Sequence, residues 1–188
     1  MMGYKITIKQ GNLLECEADI IVNASNTKLL LGSGVSMAFK RHCDKALQEA
    51  MSNVLKDAKE LHQGDVVATK SYAKNFQIAL HVAMMNYNKG VKGLQKMPTL
   101  KTIETALKNI EQFLKAYAKN NQKVKIALPL LGCGIGALQK EDVIRCYKNF
   151  FRRDVAFDCE VILVGYRDED YNIIYNIFRD LSYNSDVI

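Results

Sequence analysis

The sequence predicts a layered α/β/α domain with helices on both faces of a largely parallel sheet. Short β-rich runs alternate with helical runs along the whole chain. Three of the strand runs, at Ile20–Val22, Ile126–Leu128 and Val161–Val164, are apolar throughout, the pattern of strands covered on both faces. Two strands run straight into glycine-rich loops that open helices.

The elements follow in order. "YKITIK" (Tyr4–Lys9) alternates apolar and polar residues, which suits an edge or half-covered strand. "DIIVNA" (Asp19–Ala24) is the first buried strand. From Val35 the apolar set Val35, Ala38, Phe39, Cys43, Ala46, Leu47, Ala50 and Met51 keeps three-four spacing, which predicts a helix. "GDVVATK" (Gly64–Lys70) and "FQIALHVAM" (Phe76–Met84) are further strands. Asn86–Met97, with two glycines and lysines 89, 92 and 96, reads as an exposed loop. Pro98 suits the start of a helix that carries Leu100, Ile103, Leu107, Ile110, Leu114 and Tyr117. "KVKIALP" (Lys123–Pro129) is a strand, Val143, Cys146, Tyr147 and Phe150 mark a helix, and "CEVILVGY" (Cys159–Tyr166) is the last strand. Ile174, Ile177, Phe178 and Leu181 repeat the helical spacing.

The chain has 188 residues, 48% of them apolar, enough for a sizeable core, and no composition shift marks a boundary. One domain over residues 1–188 is expected. No run reaches the ~20 apolar residues that span a bilayer, and the N-terminus lacks signal-peptide order. A cytoplasmic location is the expectation, without a membrane partner. The five cysteines lack CxxC spacing, so free thiols are expected rather than disulfides or a metal site. The net charge of +6 favours anionic ligands, but the lysines are spread along the chain rather than set in a stripe.

"VNASNTKLLLGSGVSMAFKRH" (Val22–His42) places two asparagines at a strand mouth and Gly-Ser-Gly before a helix. The first N–H groups of a helix have no internal partner, and such an end binds phosphate. "GSGVS" therefore reads as a phosphate cradle, or as a tight turn capped by Ser33. It is neither a P-loop nor GxGxxG, since Met37 stands in the place of the third glycine. "KIALPLLGCGIGALQKEDV" repeats the design with Gly132, Gly134 and Gly136. Two such loops leaving the carboxyl ends of strands can face one another and hold a ligand with two phosphates. Asn23 and Asn26, as amides at a strand mouth, can bond ribose hydroxyls or stitch the turn.

In this order the segments "QGNLLECEADIIVNASN", "LGSGVSMAF", "LHVAM" and "LPLLGCGIGAL" resemble the macro domains, from about Lys5 to Tyr166. "PLLGCGIGALQ" is also similar to the branch that includes the terminal ADP-ribose protein glycohydrolase. The resemblance implies a mixed six-stranded sheet between helical layers. It implies binding of ADP-ribose, free or attached to protein or nucleic acid, with no cofactor. Carried across, Asn12 stands where an acceptor meets the adenine amino group, and Tyr166 where an aromatic stacks on adenine. Asn26 stands where the distal ribose is held. Gly32, Ser33, Gly34, Val35 and Ser36 match the first diphosphate loop. Leu131, Gly132, Cys133, Gly134, Ile135 and Gly136 match the second.

The resemblance leaves turnover open. One group of the members that hydrolyse ADP-ribose derivatives carries an acid after the "GV" of the first loop, where this chain has Ser36. The glycohydrolase-like branch uses a lysine near the "HV" strand and an aspartate in the second loop, where this chain has Val82-Ala83-Met84 and Gly136. Asn26 is then the one candidate for a catalytic role, in an ADP-ribosyl hydrolase or O-acetyl-ADP-ribose deacetylase that leaves water placement to the ligand's own phosphate. The alternatives are a non-catalytic reader and a basic protein that binds RNA or poly(ADP-ribose). Cys133 and His81 are expected to be structural rather than a nucleophile and its base. Asp19 either fixes a loop or meets the ligand.

Overall fold

The computed structural model describes residues 3–119 and 123–179. Its six strands are β1 (Gly3–Gln10), β2 (Ile20–Asn26), β3 (Val66–Lys70), β4 (Ile78–Met85), β5 (Val124–Leu128) and β6 (Asp158–Gly165). They form one sheet in the order β1-β6-β5-β2-β4-β3. All neighbours pair parallel except β3 with β4, so the sheet is mixed, as expected. The alternating strand β1 does lie at an edge.

Among the described residues five helices cover the sheet: α1 (Gly34–His42), α2 (Ala46–Ala58), α3 (Leu100–Ala118), α4 (Lys140–Phe151) and α5 (Asp168–Phe178). One face packs Ile20, Val22, Leu80, Val82, Ile126 and Val161 against α3, α4 and α5 through Ile103, Leu107, Val143, Tyr147 and Ile174. The other face packs Ile21, Ala79, Ala83, Ala127 and Ile162 against α1 and α2 through Phe39, Leu47 and Met51. Alternate residues of one strand thus serve opposite layers, which is why those strands read as unbroken apolar runs.

Two sequence expectations need correction. The single helix expected from Val35 to Met51 is two helices, broken at Cys43–Lys45. The spacing survives the break because both helices bury the same layer, and Asp44 starts the second one by accepting from the Ala46 N–H at 2.9 Å. The segment after β4 is not wholly irregular, for it holds a 3-10 turn at Gly93–Lys96. Leu181, read as the end of the last helix, lies outside the described residues.

Candidate functional site

Because β1, β6, β5, β2 and β4 are mutually parallel, their carboxyl ends share one edge of the sheet. Along that edge stand, in spatial order, Asn12 after β1, Tyr166 after β6, the loop 129–139 after β5 and the loop 27–33 after β2. The chain leaves β2 toward α1 on one face and leaves its neighbour β5 toward α4 on the other. Neighbouring strands whose connections part to opposite faces open a crevice between their loops. The fold thereby places the two glycine loops on either side of one crevice.

The first loop is built by Asn26. Its side-chain oxygen accepts from the N–H of Lys28 (3.1 Å) and Leu30 (3.2 Å), and its Nδ2 donates to the Leu30 carbonyl (3.0 Å). Leu29 takes a positive φ of 50° and is fully buried. Gln48 of α2 grips the loop from behind, donating to the Leu29 carbonyl at 3.0 Å and accepting from the Leu31 N–H at 2.9 Å. Gly32, Ser33 and Gly34 are then left exposed, with Gly34 at φ +54°. Ser33 occupies the N-cap position of α1, but its side chain makes no capping bond. The first bond to the cap comes from Met37 N–H to the Ser33 carbonyl (3.2 Å), so the N–H groups of Gly34, Val35 and Ser36 stand ahead of the helical ladder. The first turn of α1 has no acidic residue, and its last turn has Lys40, Arg41 and His42. Its positive end is therefore uncompensated, which favours an anion there.

Behind this turn lies a buried polar relay. The Ser36 hydroxyl, 3% exposed, donates to the Asn23 side-chain oxygen at 3.0 Å and lies 3.0 Å from the Ala24 carbonyl. Asn23 Nδ2 lies 3.0 Å from His81 Nδ1, and His81 Nε2 lies 2.9 Å from Thr69 Oγ1. Asn23 and His81 are fully buried, and burial holds the imidazole pKa down at about 3. His81 is thus a neutral core histidine, as expected. Asn23 and the Ser36 hydroxyl face inward, so at Ser36 only the backbone N–H is turned to the loop.

The second loop is built by Tyr147. Its hydroxyl donates to the Pro129 carbonyl (2.8 Å) and accepts from the Leu131 N–H (3.0 Å), all in the core. Leu131, Gly132 and Gly136 are buried, whereas Gly134 and Ile135 are exposed. Among the described residues the N–H groups of Gly134, Ile135 and Gly136 make no hydrogen bond. Two glycines are sterically required. Gly132 has φ +76°, and a Cβ on Gly136 would lie 2.5 Å from the Gly132 carbonyl oxygen. The Cys133 thiol leans toward the Leu131 carbonyl, and burial pushes its pKa up to about 12. It is no nucleophile near neutral pH.

At the far end of the edge, the Gly11 N–H donates to the Gly165 carbonyl (2.9 Å), which sets Asn12 beside Tyr166. Asn12 caps the 3-10 turn Leu13–Glu15, accepting from the Leu14 N–H at 3.0 Å and donating to Glu15 at 3.1 Å. Tyr166 is 72% exposed, so it does not cap the core. Lys140 at the start of α4 pairs with Asp170 (2.5 Å) and Glu169 (3.7 Å) at the start of α5, tying the second loop's helix to the turn that carries Tyr166. Burial alone would raise the Asp170 carboxyl, but the bonds from Lys140 and the Arg167 N–H bring it below its ordinary value. Asp19 lies at the opposite sheet edge, where its carboxylate accepts from the Lys125 N–H (2.7 Å). It fixes a strand start and is away from the crevice. That opposite edge also holds an open hollow of about 920 Å³, which no glycine loop borders.

Thr69, Gln48 and Lys140 are residues of this edge or its supports that sequence reasoning did not single out, and Tyr147 enters there only as the mark of a helix. Thr69 meets His81 through strand register, which only the structure supplies: it lies two residues from Val67, the partner of His81 on the antiparallel neighbour strand, and such diagonal pairs are within side-chain reach. Among the described residues no group of three or more His, Cys, Asp or Glu could hold a metal ion, and no helix is long and apolar enough to cross a membrane.

The family model of the macro domain matches residues 22–147, which takes in both glycine loops and the relay. The chain belongs to the macro domain family. It is 24% identical over 182 residues to an uncharacterised protein of Sulfolobus acidocaldarius, covering 96% of this chain and 94% of the relative. It is 31% identical over 141 residues to the O-acetyl-ADP-ribose deacetylase of Klebsiella pneumoniae, covering 75% of each. Among solved structures, the Oceanobacillus iheyensis macrodomain with ADP superposes with a TM-score of 0.76 at 19% identity, covering 96% of this chain and 93% of that one. The Trypanosoma brucei macrodomain in complex with ADP-ribose superposes at 0.72 with 19% identity, covering 92% of this chain and 68% of that one. At such identity these two establish the fold.

Proposed function

We propose that this macro domain binds ADP-ribose, free or carried by a protein or nucleic acid, in the crevice between the loops 27–33 and 129–139. One observation carries the reading. The order of groups along the sheet edge matches the order of groups in the ligand: an amide and an aromatic for the base, two sets of free N–H groups for the diphosphate, and Asn26 for the distal ribose. Three strand spacings of about 4.8 Å separate β1 from β2, which gives an extended nucleotide roughly 14 Å of edge to lie along. The family match and the ADP-ribose complex of the Trypanosoma brucei macrodomain support the same ligand.

Each residue has a role in this reading. Gly32, Ser33, Gly34, Val35 and Ser36 offer backbone N–H groups to one side of the diphosphate. Leu131, Gly132, Cys133, Gly134, Ile135 and Gly136 form the other wall, with Gly134 and Ile135 presenting theirs outward. Asn26 shapes the first loop, its oxygen being filled by the Lys28 and Leu30 N–H groups, and offers the ribose the second proton of its Nδ2; Asn23 supports the loop from within, Asn12 accepts from adenine, and Tyr166 stacks on the ring.

A second reading, slow removal of ADP-ribose or an ester of it, is favoured by the 31% identity to an O-acetyl-ADP-ribose deacetylase. Neither loop contains an acidic residue. Turnover would then come from holding a water in line between the ligand's phosphate and its ribose, with Asn26 placing the sugar.

Titration calorimetry with ADP-ribose, AMP and NAD tests the first reading: binding of ADP-ribose at micromolar concentration with AMP and NAD much weaker is expected, and no heat at millimolar ADP-ribose would overturn it. Incubation with ADP-ribosylated protein and with O-acetyl-ADP-ribose separates a reader from a hydrolase, release above the spontaneous rate being the mark of the second.

A further inference from the structure

We infer that His81 is a positioning residue for the diphosphate-binding turn, acting through the buried relay Thr69–His81–Asn23–Ser36 to fix the first turn of α1 at the crevice. The inference rests on the ADP-ribose reading above. The four side chains come from β3, β4, β2 and α1, and all are buried. Their contacts of 2.9, 3.0 and 3.0 Å run without a gap from the edge strand to the helix that opens the phosphate loop.

The relay has a direction. A carboxamide nitrogen can only donate, so Asn23 Nδ2 at 3.0 Å requires His81 Nδ1 to be bare. The ring proton then sits on Nε2 and is donated to Thr69 Oγ1 at 2.9 Å. With its nitrogen committed to the ring, Asn23 presents its oxygen to Ser36, which donates to it. A charged ring would set one N–H against another and break the chain of bonds, and burial excludes that form near neutral pH. Phe39 of α1 packs its ring 6.4 Å from the imidazole at 61° and holds its plane.

Ser36 is the third residue of α1, so its tether sets where the N–H groups of Gly34, Val35 and Ser36 point. Without His81 the Asn23 amide loses the partner that orients it, and Ser36, whose hydroxyl also lies 3.0 Å from the Ala24 carbonyl, loses the side-chain acceptor that fixes its direction. Apolar residues of the same shape would fill the same volume, but a fully bonded polar network adds orientation. Anion binding by backbone N–H groups depends on that orientation.

The test uses Thr69→Val and Thr69→Ser, with His81→Phe as a second variant, and follows amide resonances during titration with ADP-ribose and with adenosine. Thr69 lies on β3, an edge strand bearing neither glycine loop, so its effect must travel through His81. Thr69→Val and His81→Phe should weaken ADP-ribose by about tenfold and leave adenosine unchanged, because only the diphosphate uses the tethered turn. Thr69→Ser, which keeps the hydroxyl, should restore binding, and if His81→Phe fails to fold the Thr69 pair decides alone. ADP-ribose affinity within about twofold of the unaltered protein in Thr69→Val, or an equal loss for both ligands, overturns the inference. If the unaltered protein binds no ADP-ribose, the functional reading fails instead. The relay is then read from the Gly34 and Val35 amide resonances, which must move in Thr69→Val and return in Thr69→Ser.

Discussion

Replacing Gly136 by alanine tests whether close packing fixes the shape of the second loop. A Cβ at that position would stand 2.5 Å from the Gly132 carbonyl oxygen, 2.6 Å from Pro98 Cγ and 3.0 Å from Gly132 Cα. Ordinary carbon–oxygen contacts begin at about 3.3 Å, so the overlap is about 0.8 Å. The obstacle is backbone, which cannot rotate aside as a side chain can, and Tyr147 pins the start of the loop. Overpacking of this kind costs about 2 kcal/mol, within a range of roughly 1–3. For a chain of this length that is a fall of about 6 °C in Tm. The loop relieves the clash by moving Gly134 and Ile135, which are exposed and whose N–H groups make no hydrogen bond among the described residues. ADP-ribose affinity should therefore fall by about tenfold or more, since each 1.4 kcal/mol is one decade. Differential scanning fluorimetry and titration calorimetry read the two effects. Gly134→Ala is the control, because a Cβ there meets nothing within 4 Å. It should move Tm by no more than about 1 °C. A Gly136→Ala protein as stable as its parent would refute the packing argument.

Other outcomes follow from the same geometry. Tyr166→Ala should weaken ADP-ribose by about 1–3 kcal/mol in calorimetry while leaving Tm unchanged, since the ring is exposed and its proposed role is to stack on adenine. Asn26→Ala removes three hydrogen bonds within the first loop and should lower both urea stability, by roughly 1–3 kcal/mol, and ADP-ribose affinity. His81 makes stability depend on acid: its folded pKa of about 3 lies below the ordinary value of 6.5, so the unfolded chain binds the proton first. Its contribution is complete above about pH 6.5 and is lost progressively toward pH 3, by up to roughly 2 kcal/mol between pH 6.5 and 5. Urea midpoints across that range measure the slope, and His81→Phe should flatten it. Cys133→Ala should keep whatever binding and turnover the parent has, because a thiol with a pKa near 12 contributes no thiolate; loss of turnover with binding intact would contradict this.

The sequence by itself determined the layers, the strands and the two glycine loops. Runs such as Ile20–Val22 must be covered on both sides, and Gly132 and Gly136 occupy places where a side chain is strained or clashes. These are local requirements, written within a few residues of where they act. The break of the long helical pattern at Cys43–Lys45 was hidden, because two helices burying one layer keep the same spacing as one. Only the tertiary structure decided which groups meet. It set β5 beside β2 with their helices on opposite faces, which brings two loops about 100 residues apart in the chain to the same edge of the sheet. It turned Asn23 and the Ser36 hydroxyl inward to His81, and it bound Asn26 to its own loop. A carboxamide or hydroxyl can serve a ligand or a neighbour equally well, and its residue type alone carries no record of which way it points.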